Sequence, residues 1–208
     1  MQQLSKTSLS SNTMHLQGHS QIVGIGGYVP SQRVTSQELL EEIGSERRFG
    51  IAHDWLDTVC GIEERRIAPV DSLPSDLALE AAKVALEDAG LVGRDMDLII
   101  FCGIEGDWSE PATAHRIQTE LDSKAICLDV SNACHGFMNG LTIADLHIAA
   151  GAAEHVLVVT GEIPSRISFD VLQMLQENED LDILKKKIGV LTVGDAGGAV
   201  VLKKNKVT

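Results

Sequence analysis

Aromatic side chains are nearly absent: one tyrosine, two tryptophans and four phenylalanines make up 3% of 208 residues. A surface that stacks on nucleobases needs more of them. Cations are also short, 17 Lys and Arg against 30 Asp and Glu, for a net charge of −13. Phosphate backbones and anionic membranes are bound by surplus positive charge, so neither nucleic acid nor membrane is expected as a partner. The four cysteines, Cys60, Cys102, Cys127 and Cys134, are too few and too irregular for a disulfide framework or a CxxC metal site. No metal is expected, and a reducing cytoplasm is the simplest setting. No apolar run is long enough to span a bilayer, and the Ser/Gln-rich stretch Met1 to Ser20 lacks the apolar core of a signal peptide. Residues 1–20 are expected to be a disordered lead-in, and residues 21–208 one domain. What the chain does have is 19 glycines and 44% hydrophobic residues with 23% charged, enough for a sizeable core of closely stacked layers.

The order of elements follows from periodicity and punctuation. Ile22 to Pro30 reads as a strand entering a Gly/Pro turn, and its glycines do not open a helix as a dinucleotide fingerprint requires. Thr35 or Ser36 caps a short helix through Leu39, Leu40 and Ile43, which Ser45-Glu46-Arg47-Arg48 interrupts, with Arg47 and Arg48 expected in solvent. Trp55, Leu56 and Val59 keep helical spacing up to Gly61, and Glu63 to Ile67 is a polar strand. Asp76 is the expected N-cap of a helix whose stripe is Leu77, Ala81, Val84, Ala85 and Ala89 and whose stop is Gly90. Leu98 to Cys102 has the unbroken apolar character of a strand covered on both faces.

Pro111 is expected in the first turn of a helix from Ala112 to Leu121, which puts Glu110 at its N-terminus, where a carboxylate complements the helix dipole. Ala125 to Val130 is a strand. The segment Gly136 to Ala150 is apolar nearly all round and is expected to lie buried between layers. A strand from His155 to Thr160 and one amphipathic helix from Val171 to Lys187 come next. Val190 to Val193, a turn at Gly194 to Gly198 and a strand from Ala199 to Leu202 close the pattern. Alternating strands and helices predict an α/β class with a mostly parallel sheet and helices on both faces.

The segment Cys127-Leu128-Asp129-Val130-Ser131-Asn132-Ala133-Cys134-His135-Gly136 is a strand that stops at a polar elbow. A helix beginning near Gly136 places Cys134 beside unpaired backbone N–H groups and the positive end of the dipole, which favours thiolate. A small buried hydrophobe is the bland alternative for a free cysteine.

Four stretches in this order resemble the thiolase-fold condensing enzymes and, among them, the β-ketoacyl synthase III family. They are Ile22 to Pro30; Asp54-Trp55-Leu56 through Gly61-Ile62-Glu63-Glu64-Arg65-Arg66-Ile67; Asp129 to Phe137; and Gly194-Asp195-Ala196-Gly197-Gly198-Ala199-Val200-Val201-Leu202. Ser131-Asn132-Ala133-Cys134 with Gly136-Phe137 and Asn139-Gly140, and Ser109-Glu110-Pro111-Ala112-Thr113-Ala114, resemble the OleA type, which joins two acyl thioesters.

The resemblance implies the N-terminal half of a thiolase-like fold. It implies Cys134 as the acyl-holding nucleophile and Glu110 as a base acting in a partner subunit's site. It further implies Trp55, Asn132 and Phe137 as substrate-binding residues, and an acyl thioester of coenzyme A or of an acyl carrier protein as substrate, with no cofactor. Two departures stand out. Val59 occupies the place of an arginine that helps grip coenzyme A, and the histidine and asparagine completing the family's site belong to a second half.

A homodimer, or a heteromer with a chain supplying that half, is therefore expected. An acidic carrier protein would need a basic patch, for which Arg47, Arg48, Arg65 and Arg66 are the candidates. Arg166 is expected in a structural salt bridge, and His115 on a helix surface. Two other readings stay open: a non-catalytic subunit serving as a dimerisation platform, and a hydroxymethylglutaryl-CoA-synthase-like enzyme whose glutamate lies nearer Glu105.

Overall fold

The computed structural model describes residues 18–205, so the expected lead-in falls almost wholly outside the described residues. The elements run β1 (Ser20–Tyr28), β2 (Gln32–Thr35), α1 (Ser36–Glu42), α2 (Ser45–Phe49), α3 (Trp55–Cys60) and β3 (Glu64–Ile67). After these come α4 (Pro74–Ala89), β4 (Leu98–Cys102), α5 (Ala114–Glu120), β5 (Ile126–Val130), α6 (Gly136–Ala149) and β6 (His155–Glu162). The last elements are α7 (Ser165–Glu177), α8 (Leu181–Lys187) and β7 (Ala196–Lys204).

Five strands form one mixed sheet in the order β1-β7-β6-β4-β5, and β2 pairs with β3 separately. Strand β4 is parallel to β5 and β6, while β7 runs antiparallel to both β6 and β1. The ends of β1, β4, β5 and β6 and the start of β7 therefore share one edge of the sheet. In open α/β sheets that edge is where ligands bind.

Helix α4 covers one face, laying Ala78, Ala81, Ala82 and Ala85 against Ile99, Phe101, Leu157, Val159 and Val201. Its small side chains meet glycines in the sheet. A Cβ on Gly26 would stand 2.0 Å from the Ala81 carbonyl oxygen, and one on Gly197 would stand 2.0 Å from that of Leu77. The alanine stripe and the glycines thus set the layer spacing together. Helix α6 covers the other face, with Ala144 and Ile148 against Leu98, Ile100, Val156 and Val158.

A third apolar cluster joins Leu39, Leu40, Ile43 and Leu56 from α1, α3 and their flanks to Val171, Leu172, Leu175 and Leu184 from α7 and α8. These helices form a cap reached from the ligand edge. Its first helix starts as expected: the Thr35 hydroxyl accepts from the Glu38 amide at 3.1 Å while the Glu38 carboxylate accepts from the Thr35 amide at 2.7 Å, a capping box.

Several expectations are corrected. Ser45 to Arg48, read as a break, is helical as α2, because Gly44 and Gly50, both left-handed, bracket one isolated turn. Arg48 is not in solvent: its guanidinium donates to the carbonyls of Ile43 and Asn178 and its side chain is 9% exposed. Helix α4 starts earlier than Asp76, with Pro74 in its first turn and the Asp76 carboxylate accepting from the Leu73 amide at 2.8 Å. The helix expected from Val171 to Lys187 is two helices, split where the Asp180 carboxylate caps α8. Gly197 and Gly198 lie inside β7, paired with β1 and β6, rather than in a turn.

Helix α6 is buried on one side only: Met138 and Leu146, 53% and 52% exposed, face away from the sheet. Its all-round apolar character therefore meets one layer in this chain.

Candidate active site

Strand β5 delivers the chain to the ligand edge, where the elbow is built from the backbone outward. Ala133 has φ 44, a left-handed value that costs a residue with a Cβ and that persists only where its surroundings enforce it. The enforcing contacts are local. The His135 amide donates to the Asn132 carbonyl and the Gly136 amide to the Ala133 carbonyl, each at 3.0 Å, closing two successive turns around Cys134. On the neighbouring strand the Gly103 amide donates to Val130 at 3.3 Å, tying the elbow's base to β4. Cys134 is exposed and His135 is the N-cap of α6, so the thiol stands one residue ahead of the helix cap.

The other residues implied by the resemblance are spread around this point. The Asn132 side-chain amide donates to Asn139 at 2.7 Å, bracing the elbow against the first turns of α6. Phe137 is half-buried and packs with Leu128, Val130 and Leu141 onto the sheet beneath α6. Trp55, first residue of α3, is half-buried against the cap cluster, and Val59 on the same helix is exposed. His115 lies exposed on α5, as expected.

Glu110 is exposed in the loop between β4 and α5, on a cis bond to Pro111. The helix begins at Ala114 rather than Ala112, so Glu110 precedes its N-terminus instead of capping it. The physical reason is Asp129, whose carboxylate accepts from the amides of Thr113 and Ala114 at 2.6 and 3.0 Å and so fills that N-terminus itself.

Three carboxylates fix the loop, and none was singled out in the sequence. Besides Asp129, Asp107 accepts from the Ser75 amide at 2.9 Å and from the Ser75 hydroxyl and Arg116, with its side chain fully buried. Arg116 also pairs with Asp76 at 2.6 Å. The third is Glu162 at the end of β6, which accepts from the Ile104 amide at 2.8 Å. Burial pushes the Glu162 carboxyl up; the Ile104 hydrogen bond opposes that, and the nearby Glu105 adds to it. Asp129 and Glu162 each end or interrupt an apolar strand, and that break in pattern was the available signal.

The same geometry separates the thiols. Burial, followed by the neighbouring Asp129 charge, pushes Cys102 up to about 12 and Cys127 up to about 11. Both stay protonated where Cys134 is open to reagents.

The expected basic patch is dispersed. Arg65 is buried, donating to the Val34 carbonyl and the Ser36 hydroxyl, and Arg66 donates to the Pro30 carbonyl at 2.9 Å. Arg166 donates to the Ser72 carbonyl where a salt bridge was expected. Among the described residues no His, Cys, Asp and Glu group has the arrangement of a metal site, and no helix is long and apolar enough to cross a membrane.

Residues 128–208 match the family model described as 3-oxoacyl-[acyl-carrier-protein (ACP)] synthase III. The chain is 37% identical over 182 residues to a β-ketoacyl-[acyl-carrier-protein] synthase III of Geobacillus kaustophilus, covering 87% of this chain and 52% of that protein. It is 40% identical over 148 residues to one of Bacillus pumilus, covering 71% and 46%. It thus spans about half the length of the curated relatives it matches.

Among solved structures it is similar to OleA of Xanthomonas campestris, with a TM-score of 0.85 and 29% identity to a variant bound to lauric acid and lauroyl-CoA, covering 91% of this chain and 57% of that one. Other similar OleA structures carry substitutions at a glutamate, a cysteine or a histidine.

Proposed function

Over the half-length it spans, the chain belongs to the β-ketoacyl synthase III family of thiolase-fold condensing enzymes, and we propose that it serves Claisen condensation of acyl thioesters through an acyl-Cys134 intermediate. The observation that carries this reading is the elbow: an exposed thiol following a left-handed Ala133 and immediately ahead of α6.

The Cys134 thiolate adds to the carbonyl carbon of an acyl thioester of coenzyme A or a carrier protein. The C–S bond to the donor breaks, the donor thiol leaves and takes up a proton, and the acyl group is held on Cys134. The tetrahedral oxyanion formed on the way gains from backbone N–H groups at the elbow, and the Cys134 amide is one such donor. Glu110, reaching a partner subunit's site, removes the proton next to the second thioester's carbonyl. The resulting carbanion attacks the held acyl carbon, forms the new C–C bond and releases the Cys134 thiolate.

Asp107, Asp129 and Glu162 hold the loop that carries Glu110. Trp55 and Phe137 contribute apolar wall, and Asn132 braces the elbow. The site works in a homodimer or in a heteromer with a chain that supplies a second half. Two observations support such assembly: the exposed outer face of α6, and the exposed edge strand β5, where Ile126 is 69% exposed. The setting is cytoplasmic, which suits four free cysteines.

Incubation with lauroyl thioester followed by intact mass measurement tests the nucleophile. A lauroyl adduct is expected, and it disappears in Cys134→Ala. No adduct, even with a second half supplied, overturns the reading. Glu110→Gln is expected to spare the adduct and abolish condensation; loss of the adduct instead makes Glu110 structural.

A further inference from the structure

Arg65 is 5% exposed and forms no ion pair among the described residues; burial pushes its guanidinium below the ordinary value, and only the Cys60 sulfur acts against that shift. Its two terminal nitrogens are satisfied. Nη1 donates to the Val34 carbonyl at 3.1 Å and Nη2 to the Ser36 hydroxyl at 2.7 Å. Nε is equally buried and has no hydrogen-bond partner among the described residues. A buried N–H without an acceptor is costly and rare in folded proteins.

Arg65 also lines a void of about 10 Å³, together with Ser168 of α7 and six apolar side chains, among them Val34, Leu191 and Val193. The void lies in the seam between β2 and β3 on one side and α7 with the segment after α8 on the other. A space of that size takes about one water molecule and nothing larger.

Ser168, the second polar wall, decides what fits. Its hydroxyl already donates its single hydrogen to the Val190 carbonyl at 2.8 Å, with the Pro164 carbonyl beside it at 3.2 Å. Ser168 Oγ therefore offers lone pairs and no proton. An occupant has to accept from Arg65 Nε and donate to Ser168 Oγ. Water does both, whereas a halide ion only accepts.

We propose that one buried water occupies this void, accepting from Arg65 Nε and donating to Ser168 Oγ, and so fastens the β2–β3 pair to α7. None of the two residues' direct hydrogen bonds crosses that seam: those of Arg65 end on β2 and the start of α1, and those of Ser168 on Pro164 and Val190. The site involves neither Cys134 nor Glu110, so it is independent of the acyl-thioester reading.

Nuclear Overhauser transfer from water to the Arg65 Nε–H, with thermal unfolding alongside, tests it in the unaltered chain, in Val193→Ile and in Val193→Ala. Val193 lines the void and is 39% exposed, so both variants are expected to fold. The unaltered chain is expected to show the cross-peak of a water held longer than the molecule tumbles. Val193→Ala widens the void and keeps that cross-peak. Val193→Ile fills the void, expels the water, removes the cross-peak and lowers Tm by about 3 °C, because Nε is then buried with no acceptor.

No cross-peak in the unaltered chain, or one that survives Val193→Ile, overturns the proposal. So does a Val193→Ile variant that keeps or gains stability, since filling a dry apolar void stabilises. A Tm that climbs with chloride but not with gluconate at equal ionic strength, in the unaltered chain and not in Val193→Ile, assigns the void to an anion and overturns the water.

Discussion

Asp107 ties the loop bearing Glu110 to the start of α4, and its removal has a calculable cost. The side chain is fully buried and accepts from the Ser75 amide at 2.9 Å, from the Ser75 hydroxyl and from Arg116. In Asp107→Ala the Ser75 amide and hydroxyl lose their acceptor. Arg116 keeps Asp76 at 2.6 Å and so is not left unpaired. Leaving those two Ser75 donors without their acceptor, with no charge left unpaired, costs about 2–4 kcal/mol in all. For a domain of this length that lowers Tm by roughly 10 °C. Asp107→Asn keeps one oxygen toward Ser75 and loses the charge, so about half of that loss is expected.

Urea unfolding gives the energies, and amide exchange over residues 103–113 gives the loop. Exchange there is expected to rise in Asp107→Ala while the β4 amides stay protected, and the acyl adduct on Cys134 is expected to form while condensation falls. A destabilisation under about 1 kcal/mol, or unaltered exchange in the loop, refutes the role assigned to Asp107.

At about pH 8 iodoacetamide is expected to modify Cys60 and Cys134, both exposed, and to spare Cys102 and Cys127, held protonated by burial; peptide mapping reads the outcome. The folded values of about 12 and about 11 lie above the ordinary 9.0, so the native state keeps protons that the unfolded chain gives up. This contribution to stability is complete below that ordinary value and is lost as pH climbs toward the folded values; unfolding curves measured across that range in Cys102→Ser are expected to fall less steeply. Gly26→Ala, whose Cβ would meet the Ala81 carbonyl at 2.0 Å, is expected to cost about 3 kcal/mol by forcing α4 off the sheet. Gly50→Ala, left-handed at φ 68 but facing open space, is expected to cost only about 1 kcal/mol, and thermal unfolding of the pair separates steric overlap from backbone strain.

Elements whose periodicity is set by the sheet were legible in the sequence. Leu98 to Cys102 is β4 without adjustment, since all five residues are buried and leave no polar register to misread. The cysteine elbow was legible because an apolar strand, a short polar run and a glycine-led helix leave one geometry for Cys134. What stayed hidden depends on contacts distant in the chain. Arg48 and Arg65 read as surface cations, yet carbonyls of Asn178 and Val34 draw them inward. Asp129 lies 15 and 16 residues from the amides it satisfies, and that pairing, invisible to local pattern, moves the start of α5 past Glu110. The split between α7 and α8 was hidden because Leu172, Leu175, Leu181 and Leu184 read as one amphipathic segment, although the six-residue step from Leu175 to Leu181 leaves helical spacing; capping by Asp180 decides the break.

The proposed nucleophile and the proposed base differ in how far this chain determines their surroundings. Everything that holds Cys134 is local to it: the turns from Asn132 and Ala133, the Asn132–Asn139 brace and the Gly103 to Val130 bond all lie on β4, β5 and α6. The direction of the Cys134 thiol is therefore independent of what covers the outer face of α6. The surroundings that would exclude water are not local, for Met138 and Leu146 on that face and Ile126 at the β5 edge are open. A thiol ester bond can form at an open elbow, but a carboxylate base gains its strength from a desolvated pocket. Acylation of Cys134 and condensation through Glu110 are thus expected to separate experimentally, the first surviving in the chain by itself and the second appearing only once its exposed faces are covered.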